Sequence, residues 1–169
     1  MISLEDIPYV FSASQHPGFT DGMLWEPPAR IEELEAPHLR GLESWKKGEG
    51  YGFTIESKDK GVFLGRISIR PTSETDVWNI GFWTHPDHQG QGIMKEAVAA
   101  VLALGFTELN ARRIEACHAL WNKASEKVLQ HNGFQFVRYI REGFKKHGAW
   151  VDENLLAVDR NAWQLKKKS

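Results

Sequence analysis

At 169 residues, 41% hydrophobic and 25% charged, the chain is long enough to fold as one domain around a hydrophobic core without metal or disulfide staples. Its formal net charge of -1 excludes a global electrostatic pull toward nucleic acid or an anionic membrane, so any anionic ligand has to be held locally. The single cysteine, Cys117, excludes an intramolecular disulfide, the opening MISLEDIPYVF lacks the basic and apolar runs of an export signal, and no stretch approaches membrane-span length, which together imply a reducing cytoplasm.

SLEDIPYVFSAS (residues 3–14) predicts a short helix, with Ser3 as N-cap and Asp6 in the acidic position of a capping box. HPGFTDGMLWEPP (16–28) is rich in turn residues, and ARIEELEAPHLRGLESWKKGEG (29–50) predicts helix interrupted at Pro37. The periodicity then switches. YGFTIES (51–57), GVFLGRISIRP (61–71) and DVWNIGFWTH (76–85) are rich in β-branched and aromatic residues and separated by charged or glycine turns, predicting three antiparallel strands. Ile93, Met94, Ala97, Val98, Val101, Leu102 and Gly105 recur at helical spacing, predicting a helix that ends by about Asn110. RRIEACHAL (112–120) predicts a strand, NKASEKVLQHNGF (122–134) a helix stopped by Asn132 and Gly133, and FQFVRYIREGF with AWVDENLLAV a closing hairpin. Residues 164–169, ending in KKKS, read as a solvated tail. This order defines a mixed α/β (α+β) domain over 1–169, with a helical region at 1–50 and a mixed core at 51–160.

The segment HPDHQGQGIMKEAV (85–98) places two glycines at the corner where strand gives way to helix. Glycine lets a ligand approach the backbone closely, and the first N–H groups of a helix have no partner within it, a combination that suits a phosphate. The common nucleotide loops are excluded, because no GK[ST] ending and no G-x-G-x-x-G with a following acidic residue is present. A glycine pair at such a corner is equally a plain turn, so the surrounding segments decide.

NIGFWTHPDHQGQGIMKEAV, followed some thirty residues later by NKASEKVLQHNGF, resembles the GCN5-related N-acetyltransferase (GNAT) superfamily, in particular its RimJ/RimL-type branch of ribosomal-protein N-acetyltransferases, over roughly residues 51–160. The resemblance implies a mostly antiparallel twisted sheet, splayed between the family's fourth and fifth strands and flanked by helices. It implies acetyl-coenzyme A as co-substrate, with its pyrophosphate on the amides of Gln89, Gly90, Gln91, Gly92, Ile93 and Met94, and with pantetheine pairing to the backbone of Phe82, Trp83 and Thr84. Met94 departs from the small residue usual in the motif Q/R-x-x-G-x-G/A, placing a long side chain beside a phosphate-facing amide. Relatives also begin with a strand before the segment matched by MISLED, so the first strand is expected to be missing or short, exposing an edge that a second copy in a homodimer would cover.

Acetyl transfer to an amine needs a neutral nitrogen, stabilisation of an oxyanion and a hydrogen bond for the departing thiolate. By resemblance, Asn122 hydrogen-bonds on the cofactor side and Ser125 stands beside the sulfur; a helix N-cap and a first-turn residue are the plain alternatives. The family's tyrosine acid is replaced by Leu129, and its glutamate base by Asn79 or a position near Phe144. His118 is therefore a catalytic candidate beside a core-histidine reading, with Glu142, Glu115, His147 and Tyr139 as further base candidates. The same resemblance places the loop around MLWEPP on the acceptor side, making Trp25 and Glu26 candidates for acceptor contact; packing of that loop onto the domain is the alternative. The H-x-x-H of His85 and His88 reads as solvated loop, with no metal expected, and the seven tryptophans lack the interleaved basic residues of a nucleic-acid surface. A direct-transfer N-acetyltransferase acting on a protein or peptide N-terminal α-amine is the leading expectation. A small-amine acetyltransferase (polyamine, amino acid or aminoglycoside) and a catalytically weak coenzyme A-binding module are the rivals.

Overall fold

The computed structural model describes residues 1–166. Ser3 caps a 3-10 turn at Leu4–Asp6 by accepting from the Glu5 amide, while its own amide donates to Asp6 Oδ2 at 2.9 Å, so the expected capping box forms with aspartate in place of glutamate. The turn runs into α1 (Ile7–Ser14), and a second 3-10 turn at Ile31–Leu34 leads into α2 (Glu35–Lys47). The expected break at Pro37 is absent. Pro37 is the third residue of α2, where a backbone N–H has no intrahelical acceptor to lose.

Six strands follow: β1 (Tyr51–Glu56), β2 (Phe63–Pro71), β3 (Val77–Thr84), β4 (Arg113–Ala119), β5 (Gln135–Lys146) and β6 (Ala149–Asp159), interrupted by α3 (Ile93–Thr107) and α4 (Lys123–His131). They form one sheet in the order β1-β2-β3-β4-β6-β5. Every neighbouring pair is antiparallel except β3 and β4, which run parallel and register only at Val77/Arg113, Trp78/Ile114 and Asn79/Glu115. Beyond Asn79 the two strands diverge, which is the expected splay. Ahead of β1, Ile2 donates its amide to the Gly52 carbonyl at 3.0 Å and buries its side chain, covering that part of the sheet edge.

One face of the sheet is covered by α3 and α4. Val98 and Leu102 from α3, Ile69, Ile80 and Ile114 from the strands, and Leu129 from α4 form a dry core. At Gly105 a Cβ would sit 2.6 Å from Ile114 Cδ1 and 3.0 Å from Ile69 Cδ1, so a larger residue there would have to push both buried isoleucines aside. The tail expected over 164–169 is helical as far as it is described: α5 (Arg160–Lys166) docks through Trp163, whose ring centroid lies 5.0 Å from that of Phe106, and residues 167–169 lie outside the described residues. No helix among the described residues is long and apolar enough to cross a membrane.

The opposite face carries α1 and α2 over β1 and β2, fastened by a buried polar knot. Arg66 Nη2 donates to Asp6 Oδ2 at 2.9 Å and to His38 Nε2 at 2.6 Å, Thr54 Oγ1 also donates to Asp6, and His38 Nδ1 lies 2.6 Å from the Leu34 carbonyl. This assigns His38 as neutral, with Nδ1–H donating and Nε2 accepting. Burial, then the neighbouring Arg66 charge, holds its pKa below the ordinary histidine value. Burial alone would raise the Asp6 carboxyl, but hydrogen bonds from Thr54, Ser3 and Arg66 outweigh it and hold it below the usual range.

Arg66→Ala strands a buried carboxylate and is expected to cost about 3 kcal/mol in urea unfolding; a loss near zero contradicts the knot. Because the unfolded chain protonates His38 first, the stability it contributes is present above about pH 6.5 and lost as pH falls below it. His38→Gln should flatten that acid-side decline; an unchanged slope assigns the decline elsewhere.

Candidate active site

The helix corner has the form an anion needs. Gly90 (φ 77°) and Gly92 (φ 79°) are left-handed, a conformation L side chains rarely adopt, and a Cβ on either would meet nothing within 4 Å. No side chain caps α3, and the amides of Gly90 to Met94 donate to no acceptor among the described residues. Gln89 Nε2 donates to the Thr84 carbonyl at 3.4 Å, tying the loop to the end of β3. Met94 turns its side chain into the core, 5% exposed, so the long side chain expected beside the phosphate-facing amide is out of the way.

The free edge of β3 leads down from this corner. The His85 amide donates to Leu64 and the Thr72 amide to Val77, so alternation turns the peptide groups of residues 79, 81, 83 and 85 toward β2. Those of Trp78, Ile80, Phe82 and Thr84 face β4, where pairing ends at Asn79/Glu115. Of the three residues expected to offer backbone groups to the gap, Phe82 and Thr84 do. Trp83 does not; its peptide groups serve β2, opposite Arg66, and its ring packs edge-on against Phe19.

Across the gap, Asn122 is the N-cap of α4: its Oδ1 accepts from the Ser125 amide at 3.1 Å, and a Cβ on Gly22 would lie 3.3 Å from its Nδ2. Ser125 is half-buried in the first turn of α4, and its hydroxyl makes no hydrogen bond among the described residues. Asn132 at the other end of α4 donates to the Lys95 carbonyl at 3.2 Å, holding α4 against the first turn of α3. His118 is 3% exposed on the helix-covered face, with Nδ1 2.9 Å from the Ala119 carbonyl and Nε2 buried without a hydrogen-bond partner among the described residues.

The other face of the gap is open. Register places Arg70, Asn79, Gly81, Glu115, Cys117 and Glu153 on it, with Arg138 alongside. Glu115 is paired to Arg113 at 3.0 Å, and Arg70 Nη2 donates to Asn79 Oδ1 at 3.5 Å. Burial, then the Glu153 and Glu115 charges, pushes the Cys117 thiol up to about 11, which suits a spectator rather than an acyl-carrying nucleophile. The other base candidates are engaged or solvent-exposed: Tyr139 donates to Asp152, His147 Nε2 lies 3.1 Å from Asp21 Oδ1, and Glu142 is exposed at φ 54°. Glu153, which sequence reading passed over, is half-buried on the open face, and its side chain is paired with nothing among the described residues. Only register reveals it.

Trp25 is half-buried in a second apolar cluster with Val10, Leu34 and Phe63, and its carbonyl accepts from Lys146 Nζ at 2.8 Å. Glu26 is ion-paired to the same buried Lys146 at 3.0 Å, so the loop is pinned to the end of β5. His85, expected in a solvated loop, is 6% exposed, with Nδ1 accepting from the Asp87 amide at 3.3 Å. His16, His85 and Asp87 place possible ligand atoms within 4.8 Å of one another, but the His85 Nδ1 cap leaves an incomplete donor set for a structural metal.

Residues 1–135 match the sequence profile of the acetyltransferase (GNAT) domain. The probable N-acetyltransferase YjcK of Bacillus subtilis is 35% identical over 120 residues, 69% of this chain and 65% of that protein, so the match spans just under two thirds of the relative's length. Among solved structures, RimL, a ribosomal L7/L12 alpha-N-protein acetyltransferase in complex with coenzyme A, superposes with a TM-score of 0.86 at 19% identity over 95% of this chain and 92% of that one. The spermidine N-acetyltransferase of Vibrio cholerae, in complex with CoA and spermine, gives 0.83 at 17% identity over 96% and 95%. At such identities the structural likeness is one of fold, whereas the profile covers most of the sequence; an uncapped glycine corner, a splayed parallel strand pair and that match together make this chain a member of the acetyltransferase (GNAT) family.

Proposed function

We propose that the protein transfers the acetyl group of acetyl-coenzyme A directly to a primary amine, most favourably the α-amine of a protein or peptide N-terminus, in the cytoplasm. The observation that carries the cofactor reading is the alignment of two sets of backbone donors. The amides of Gly90 to Met94 and the gap-facing edge of Ile80 and Phe82 follow one another along the splay, in the order of a diphosphate and an amide-bearing arm. A helix N-terminus favours a diphosphate without a cationic cluster, in keeping with the net charge of -1. The thioester would lie within the splay beyond the last pair, Asn79 and Glu115, on the side where β4 runs into α4, with the Ser125 hydroxyl free to donate to the departing sulfur.

The acceptor reading rests on charge. The open face carries Arg70 and Arg138, and of its carboxylates Glu115 is already neutralised by Arg113, so Glu153 is left to hold one positive charge and a polycation finds little more. Neutralising a lysine amine of pKa ~10.4 at pH 7 costs about 4.6 kcal/mol, against about 1.4 kcal/mol for an α-amine near ~8. A small polyamine remains the second reading, favoured by the superposition on the spermidine enzyme.

Gly92→Val forces a β-branched residue to φ 79° and should weaken acetyl-coenzyme A at least about tenfold by calorimetry; undiminished affinity moves the diphosphate elsewhere. Ser125→Ala should slow transfer about tenfold or more with the acetyl-coenzyme A KM little changed, and an unaltered kcat removes the hydroxyl from the reaction. In a thiol-release assay, peptides with free N-termini should outpace lysine side chains and spermidine. Faster spermidine turnover favours the second reading, and binding without any turnover favours a coenzyme A-binding module.

A further inference from the structure

Glu153 is a carboxylate without a cation. It lies opposite Ala119 and Ile140 in the sheet register, on the open face and diagonal to Cys117, beside the mouth of the gap. It is half-buried, yet among the described residues no ion pair or hydrogen bond engages its side chain, and burial pushes its pKa above the ordinary glutamate value. The chain makes room for it. Register in β5 slips between Ile140 and Phe144, and within that slip a Cβ on Gly143 would lie 2.3 Å from Glu153 Oε2, so the carboxylate occupies the space a side chain would take. Charged and titratable groups on this face include Cys117 and Glu115, the latter with its partner Arg113, from β4, Arg138 from β5 and Arg70 from β2. Among these carboxylates Glu115 has its own arginine, and Glu153 has none.

Resting on the acetyl-transfer reading, we propose that Glu153 is the catalytic base that receives the acceptor's ammonium group and takes its proton. One proton passes from nitrogen to the Glu153 carboxylate, the freed lone pair forms the C–N bond at the thioester carbon, and the C–S bond breaks. The coenzyme A thiolate leaves with that electron pair, and the amide nitrogen gives up its second proton to water or to the thiolate. A half-buried, unpaired carboxylate suits this step: it attracts a single positive charge and has no competing cation to displace.

Glu153→Gln, which keeps shape and removes charge, should bind acetyl-coenzyme A as the wild type does but lose about 100-fold in kcat/KM for a peptide α-amine at pH 7. Glu153→Asp should recover part of that loss. Gly143→Ala, which displaces the carboxylate without altering charge, should lower turnover in the same direction. The deficit of Glu153→Gln should shrink toward unity with a fluoroalkylamine acceptor that is already neutral at pH 7, a rescue that a merely structural role does not produce. A readout independent of turnover is alkylation of Cys117, which should accelerate at least about threefold at pH 8 in Glu153→Gln as a neighbouring negative charge is lost. Wild-type turnover with an unimpaired Glu153→Gln overturns this assignment alone. A deficit equal for all acceptors also overturns it, leaving acetyl transfer intact. A wild type that binds acetyl-coenzyme A and acetylates no amine overturns the acetyl-transfer reading and this assignment with it.

Discussion

Two parallel strands hydrogen-bond for only three register pairs and then part, and the organisation of the molecule follows from that divergence. A strand that separates from its neighbour leaves a row of peptide donors and acceptors unsatisfied, a condition the interior of a sheet does not otherwise tolerate. Here the gap runs up to an equally unsatisfied helix start, so the two deficits form one continuous polar track beside the apolar core. Helices seal the track on one face. On the other, Gly81 stays exposed, leaving a side from which a second substrate can arrive.

The two sides of the domain are fastened by different chemistry. The cofactor side is held by dry packing of α3 and α4 on the sheet, supplemented by Asn132 bridging the two helices. The side carrying α1 and α2 relies on a smaller apolar cluster and on Arg66, which joins Asp6 and His38 beneath them. A buried ion pair contributes less net stability than apolar packing but fixes one arrangement, because a shifted helix would leave a charge unpaired. The loop bearing Trp25 and Glu26 is pinned in the same manner, by a lysine at the end of β5.

Strands, helix positions and the glycine corner were legible because each depends on local pattern: alternation, helical spacing, and residues that tolerate left-handed backbone. What the sequence hid was relational. Pro37 reads as a breaker until its place in the first turn of α2 is known, and Arg160–Lys166 reads as tail until Trp163 meets Phe106. Trp83 looks equivalent to Phe82, yet alternation commits its peptide groups to the other neighbour. Glu26 and His118 carry suggestive chemistry, but one is spent on Lys146 and the other is sealed beneath the helices. Glu153 escaped notice because its isolation is a property of three strands at once.

A grip made of peptide amides has an evolutionary corollary. Amides carry no formal charge, do not ionise across the physiological range, and are supplied by every residue except proline. Exchange of exposed side chains such as Gln91 or Lys95 therefore leaves the donors standing, while bulk at Gly90 or Gly92 does not. Such a loop can drift widely in composition while its geometry is inherited almost unchanged, and lineages can diverge in the amine they modify without renegotiating how they hold the donor.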